Sequence, residues 1–195
     1  MHIPTHQTQV VCDTRTREDL EKFIVQLEPM VVPPCSGCVD HKKAGCSPDC
    51  SEVTRALSIE PDRYPIESKV APLVYELMAT RVMQTCWSCE GHMNQDNQLW
   101  KVPQVCFYSD APIYPKLVLI HLRLLYQSKI LSCPWQVVLS DFSQSLGLTY
   151  SIQPDLNLVE KPRLGSLQQD LKLIAETMHT KLKIIAGELL REYCK

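Results

Sequence analysis

Apolar residues recur along this chain at two periods, one helical and one alternating, and the switches between them predict its elements. Leu20, Phe23, Ile24 and Leu27 follow the i, i+3, i+4, i+7 spacing of an amphipathic helix. Thr16 is its expected N-cap, Asp19 completes an acidic capping box, and Pro29 is the stop. A short strand is expected just before it, at 8–12. Val70, Leu73, Val74, Leu77, Met78 and Val82 mark a second helix running to about Met83. A strand or turn at 85–91, a polar loop from Asn94 to Asn97 and a strand at 102–108 follow. Asp110 and Pro112 to Pro115 then open a helix carrying Leu117, Ile120, Leu124 and Leu125. Trp135 to Leu139 and Gly147 to Ile152 read as strands, with a turn around Ser143 to Ser145. The order from residue 66 onward is α-β-β-α-β-β-α, which predicts an α+β fold with a small sheet of about four to five strands.

The last helix is expected from near Pro162 to about Tyr193, with Gly187 as a place where it could break. Its apolar positions are Leu164, Leu167, Leu171, Ile174, Met178, Leu182, Ile185 and Leu189. Thirty residues at 1.5 Å each reach about 45 Å, longer than a small domain is wide. The heptad-like spacing admits a homodimer through this helix. Leu173, Ile184 and Leu190 widen the stripe beyond a coiled-coil seam, which favours a core helix laid across a sheet.

One stretch fits neither period. Between Pro29 and Pro72 seven prolines and four cysteines fall in 44 residues, too many fixed φ angles and missing N–H groups for long regular elements. A loop this long needs something to hold it. One short helix is expected inside it, with Ser47 as N-cap, Pro48 at the first helical position and an end near Leu57. The chain thus divides into an N-terminal strand–helix unit at 1–29, a Cys/Pro-rich metal-binding lobe at 30–65 and an α+β domain at 66–195, together one compact unit.

Composition adds the chemistry. The chain has 195 residues, 10 of them Cys, and 20 Lys and Arg against 22 Asp and Glu give a net charge of −2. Balanced charge gives no global drive toward phosphate backbones or anionic lipid, so neither a nucleic-acid nor a membrane partner is expected. The residues from Met1 to Thr8 resemble no secretory leader, and a cytoplasmic location is expected. In that compartment clustered cysteines are more often metal ligands or reactive groups than disulfides.

Cys35, Cys38, Cys46 and Cys50 form a C-x2-C-x7-C-x3-C run with His41 between the pairs. Such a knuckle lets thiolates converge on one tetrahedral ion, and Gly37 eases the turn between them. Cys86, Cys89 and His92 make a second C-x2-C-x2-H phrase. Three groupings compete: a local four-cysteine site at 35–50; Cys35 and Cys38 joined with Cys86 and Cys89; or a separate open site of Cys86, Cys89 and His92. The local site is preferred because short loop closures cost less entropy. Zinc is the expected cofactor, with an iron–sulfur cluster as the alternative for a thiolate set. Cys12, Cys106 and Cys133 lie in or beside expected strands, where Cys acts as a small buried hydrophobe.

The Cys89-Glu90-Gly91-His92 turn is the best candidate for catalysis, with Cys89 as nucleophile and His92 or Glu90 as base. Ser88 to His92, preceded by Pro72-Leu73-Val74 and followed by Val102 to Phe107, resembles a helix–strand–turn–strand unit of small bacterial α/β proteins. More remotely it is similar to the S-C-S-G-R turn of small α/β tRNA wybutosine-synthesis methyltransferases, with Glu90 and His92 standing where that family has Ser and Arg. The resemblance covers residues 70–108 and implies that Cys89 to His92 form a functional turn.

Overall fold

The computed structural model describes residues 13–27, 50, 55, 57–58, 60–143, 147–158 and 162–193. Helix α1 spans Thr14–Gln26. Its N-cap is Asp13, not Thr16: the Asp13 carboxylate accepts the Thr16 N–H at 2.7 Å. A carboxylate placed three residues ahead satisfies one of the orphan amides of the first turn, so helix begins earlier than the apolar stripe implies. That same N–H holds the Asp13 carboxyl below its ordinary range. The helix closes at Leu27; the expected strand at 8–12 and Pro29 lie outside the described residues.

Helix α2 (Ala71–Ala79) carries Pro72 within its first two positions, where the missing N–H costs nothing. It stops before the expected Met83. Thr80 folds its N–H and hydroxyl back onto the Leu77 carbonyl, and Arg81 takes a left-handed φ of 61°. Val82 and Met83 are nonetheless buried, as the helical period requires, but Met83 already opens a strand. An apolar pair at this junction satisfies either period, and the sharp turn at Arg81 decides between them.

Six strands follow: β1 (Met83–Cys89), β2 (His92–Met93), β3 (Leu99–Lys101), β4 (Gln104–Ser109), β5 (Trp135–Ser143) and β6 (Gly147–Pro154). Four form one sheet in the order β1-β4-β6-β5, with every pairing antiparallel. The polar loop expected at 94–97 is the tip of a separate two-stranded ribbon, β2 with β3. Asn94 shapes it, its Oδ1 accepting the N–H groups of Asp96 and Gln98. Helix α3 (Ile113–Gln127) links the two hairpins, and α4 (Leu164–Tyr193) closes the described chain.

Strand β4 shows how the sheet is oriented. Val105 and Phe107 are fully buried, while Gln104, Cys106 and Tyr108 on the opposite face are half-buried. Val105, Phe107 and Ile152 meet Leu73 and Leu77 of α2, Leu117 and Leu122 of α3 and the stripe of α4 in one hydrophobic core. Leu20 and Phe23 of α1 belong to that core, and Phe23 stacks on Tyr114. In α4, Leu167, Leu171, Ile174, Met178, Leu182, Ile185 and Leu189 are all buried within this chain. The helix runs unbroken through Gly187 for 30 residues. The heptad-like stripe therefore packs intramolecularly, as its extra width suggests.

One polar anchor went unanticipated. Asp170 of α4 is 2% exposed and accepts hydrogen bonds from the Ser132 amide and hydroxyl and from the Trp135 indole N–H. It fastens the entry to β5 onto the long helix.

Candidate metal centre

The turn after β1 is built around Gly91, whose φ is +85°. A Cβ there would lie 2.7 Å from Leu164 Cδ1 and 2.8 Å from Pro103 Cδ, so glycine alone fits both the backbone and the space. The reversal brings His92 back beside the end of β1. It also meets the segment ahead of α2, where Glu67 caps the turn entering that helix: its carbonyl accepts the N–H groups of Val70 and Ala71.

Two carboxylates clasp these segments reciprocally. Glu67 Oε2 accepts the Glu90 N–H at 2.7 Å, and Glu90 Oε2 accepts the Lys69 N–H at 2.8 Å. Gln168 of α4 donates to the Glu90 carbonyl at 3.1 Å, tying the turn to the long helix. Glu67 Oε1 lies 3.0 Å from His92 Nε2. Cys89 is 4% exposed, and its sulfur accepts the Gly91 N–H at 3.4 Å. Burial pushes the Cys89 thiol up; the Gly91 N–H opposes that rise.

The result is a convergent cluster. One ligand atom each from Glu67, Cys89 and His92 lies within 4.8 Å of the others. A tetrahedral site with metal–ligand bonds of 2.0–2.3 Å has edges of about 3.5 Å, so a modest contraction would close the three around an ion. The hydrogen bonds from Glu90 and Gly91 to two of the three ligands are the kind of outer support that orients first ligands.

Of the sequence-predicted residues, Cys89 and His92 are brought together, and Glu67 joins them in place of Cys86. Among the described residues Cys86 does not join the Cys89–His92 cluster. Both cysteines belong to an extended strand, and Cys86 sits at a bulge where it meets Cys106 and Tyr108 of β4. Strand geometry separates residues that a tight loop would have converged. Glu90 is not aimed into the cluster; its carboxylate and amide hold the turn in place. Cys35, Cys38, His41 and Cys46 lie outside the described residues, and Cys50 is half-buried. Glu67 carries no spacing signal, since it stands 22 positions before Cys89 in the Pro-rich stretch. Fold alone delivers it.

Comparison with protein-family models, curated proteins and solved structures finds no match, so the reading of function rests on the site itself. Among the described residues no helix is long and apolar enough to cross a membrane.

Proposed function

We propose that this chain binds a divalent metal ion through Glu67, Cys89 and His92, and that the ion is zinc. The convergence of the three ligand atoms within 4.8 Å is the observation that carries the reading. One sulfur, one imidazole nitrogen and one carboxylate oxygen make a mixed, borderline-soft donor set that suits zinc better than calcium or magnesium, which prefer all-oxygen shells. A single thiolate does not match the four-cysteine ligation of an iron–sulfur cluster. Three protein ligands leave a fourth tetrahedral position for water or substrate, and a zinc ion there would acidify bound water or polarise a carbonyl. His92 and Glu67 are about one-third exposed on their side chains, which gives that position a path to solvent.

Metal analysis of the purified chain tests this. Bound zinc should fall by one equivalent in Cys89→Ser and in Glu67→Gln, and cobalt substitution should give a thiolate-to-metal band that Cys89→Ser abolishes. Zinc content unchanged in both variants would refute the assignment. A second ion held by Cys35, Cys38, Cys46 and Cys50 is proposed from their spacing alone. It predicts a further equivalent that is lost in Cys35→Ser and retained in Cys89→Ser.

A further inference from the structure

The face of the sheet opposite to Val105 and Phe107 carries a second pair of thiols. Strand β1 pairs with β4 through a register shift between Thr85 and Trp87, so Cys86 and Trp87 together oppose Cys106. The direct register partner of Cys106 is Trp87, and Cys86 is the extra residue of the bulge beside that pair, next to the strand position from which a disulfide could reach Cys106. Cys86 is hydrogen-bonded by the side chain of Tyr108, and Tyr108 shares a face of β4 with Cys106 by strand alternation. Both sulfurs therefore lie on one side of the sheet. Cys86 is exposed; Cys106 is half-buried, with the Gln104 amide 3.8 Å from its sulfur. A groove of about 260 Å³ is lined by Arg81, Gln84, Tyr108 and Asp110, and so shares Tyr108 with Cys86.

We propose that Cys86 and Cys106 form a redox dithiol that a low-molecular-weight peptide disulfide converts into an intrachain disulfide. The Cys86 thiolate attacks one sulfur of the oxidant, forming a mixed disulfide and releasing one small thiol. Cys106 then loses its proton and attacks the Cys86 sulfur, expelling the second small thiol. Two protein S–H bonds become one S–S bond, and the oxidant's disulfide is reduced to two thiols. The groove, which shares Tyr108 with the Cys86 thiol that attacks first, offers Arg81 and Asp110, one charge of each sign, which suits a peptide carrying both ammonium and carboxylate groups. Burial pushes both thiols up, so exchange is slow at neutral pH and quickens toward alkaline pH. The new bond would close the loop that carries Cys89, Gly91, His92 and the β2–β3 ribbon.

Incubating the full chain with oxidised glutathione, then quenching in acid and alkylating, tests the pair. Trypsin cuts after Arg81, Lys101 and Lys116, which puts Cys86 and Cys106 on separate peptides, 82–101 and 102–116. These should appear joined, with fragmentation placing the bond at Cys86 and not at Cys89. In Cys106→Ser the joined peptide should vanish and glutathione should remain on Cys86. In Cys86→Ser, a change at an exposed position, Cys106 should stay alkylatable. The proposal is overturned if the unaltered chain keeps glutathione on Cys86, if either cysteine joins a different partner, or if neither reacts.

Discussion

Acidification should weaken the packing of α3 against α4 at one buried histidine. His121 is fully buried on α3. Its Nε2 lies 3.5 Å from the Ile174 carbonyl and 3.3 Å from the Thr177 hydroxyl, while Nδ1 has no hydrogen-bond partner among the described residues. A proton added at Nδ1 would create a buried donor with no acceptor, in a cation removed from water. The His121 pKa is accordingly lowered from 6.5 to about 4, chiefly by burial; the Ile174 carbonyl opposes the shift, and the Lys181 ammonium adds the smallest push, in the same direction as burial. Because the folded pKa lies below the unfolded one, the unfolded chain binds more protons between these values. Neutral His121 is fully tolerated above about pH 6.5, and stability is lost as pH falls toward 4. At 1.36 kcal/mol per unit, a shift from 6.5 to about 4 amounts to about 3 kcal/mol. Replacing the ring by leucine removes the titration and orphans no donor, since the Thr177 hydroxyl also bonds the Leu173 carbonyl. Urea unfolding of the parent chain and His121→Leu at a series of pH values should give similar stabilities near pH 7.5. The variant should gain progressively below pH 6, approaching an advantage of about 3 kcal/mol by pH 4. Other titrating groups, such as His179, also lowered by burial, and Glu76, raised by burial, are common to both proteins and cancel in the difference. Parallel stability profiles across that range would refute the reasoning.

Three more outcomes are expected from single substitutions. Asp170→Ala strips the acceptor from the Ser132 amide and the Trp135 indole at a buried site, and should cost about 3 kcal/mol in urea unfolding with an unchanged m-value. An equally stable variant would show that these donors find water. Gly91→Ala forces a side chain against Leu164 and Pro103 at a left-handed φ, costing at least about 1–2 kcal/mol, and under the proposed metal reading should also reduce bound zinc, because the turn positions both Cys89 and His92. Retention of full zinc content would detach the turn from the metal site. Gly187→Ala should act in the opposite sense: a Cβ there meets nothing within 4 Å in mid-helix, so a gain of about 0.5–1 kcal/mol is expected in the same assay.

Much of the architecture could be read from periodicity because burial on one face imposes it. The stripes of α1, α3 and α4 and the strands at 135 and 147 were legible for that reason, and the α-β-β-α-β-β-α order from residue 66 matches the structure apart from the small inserted ribbon. Boundaries were less legible where a local hydrogen bond decides them. Asp13 captures the start of α1, and the left-handed turn at Arg81 ends α2 four residues early. No pattern of apolar residues encodes either event.

The candidate site divides the same way. Local spacing singled out Cys89 and His92, because a glycine turn between them can only fold back on itself. It did not show that Cys86 stands apart from Cys89 among the described residues, since the same C-x2-C spacing means convergence in a loop and separation in a strand. It did not suggest Glu67, and it did not pair Cys86 with Cys106, because both partners are distant in sequence and are selected by strand register and by the clasp between Glu67 and Glu90. The sequence by itself determined the fold class and the long core helix, and singled out the turn at 89–92 beside its first choice at 35–50. Only the tertiary structure decided which third side chain completes the cluster, since a three-ligand site is a meeting of separate segments in space.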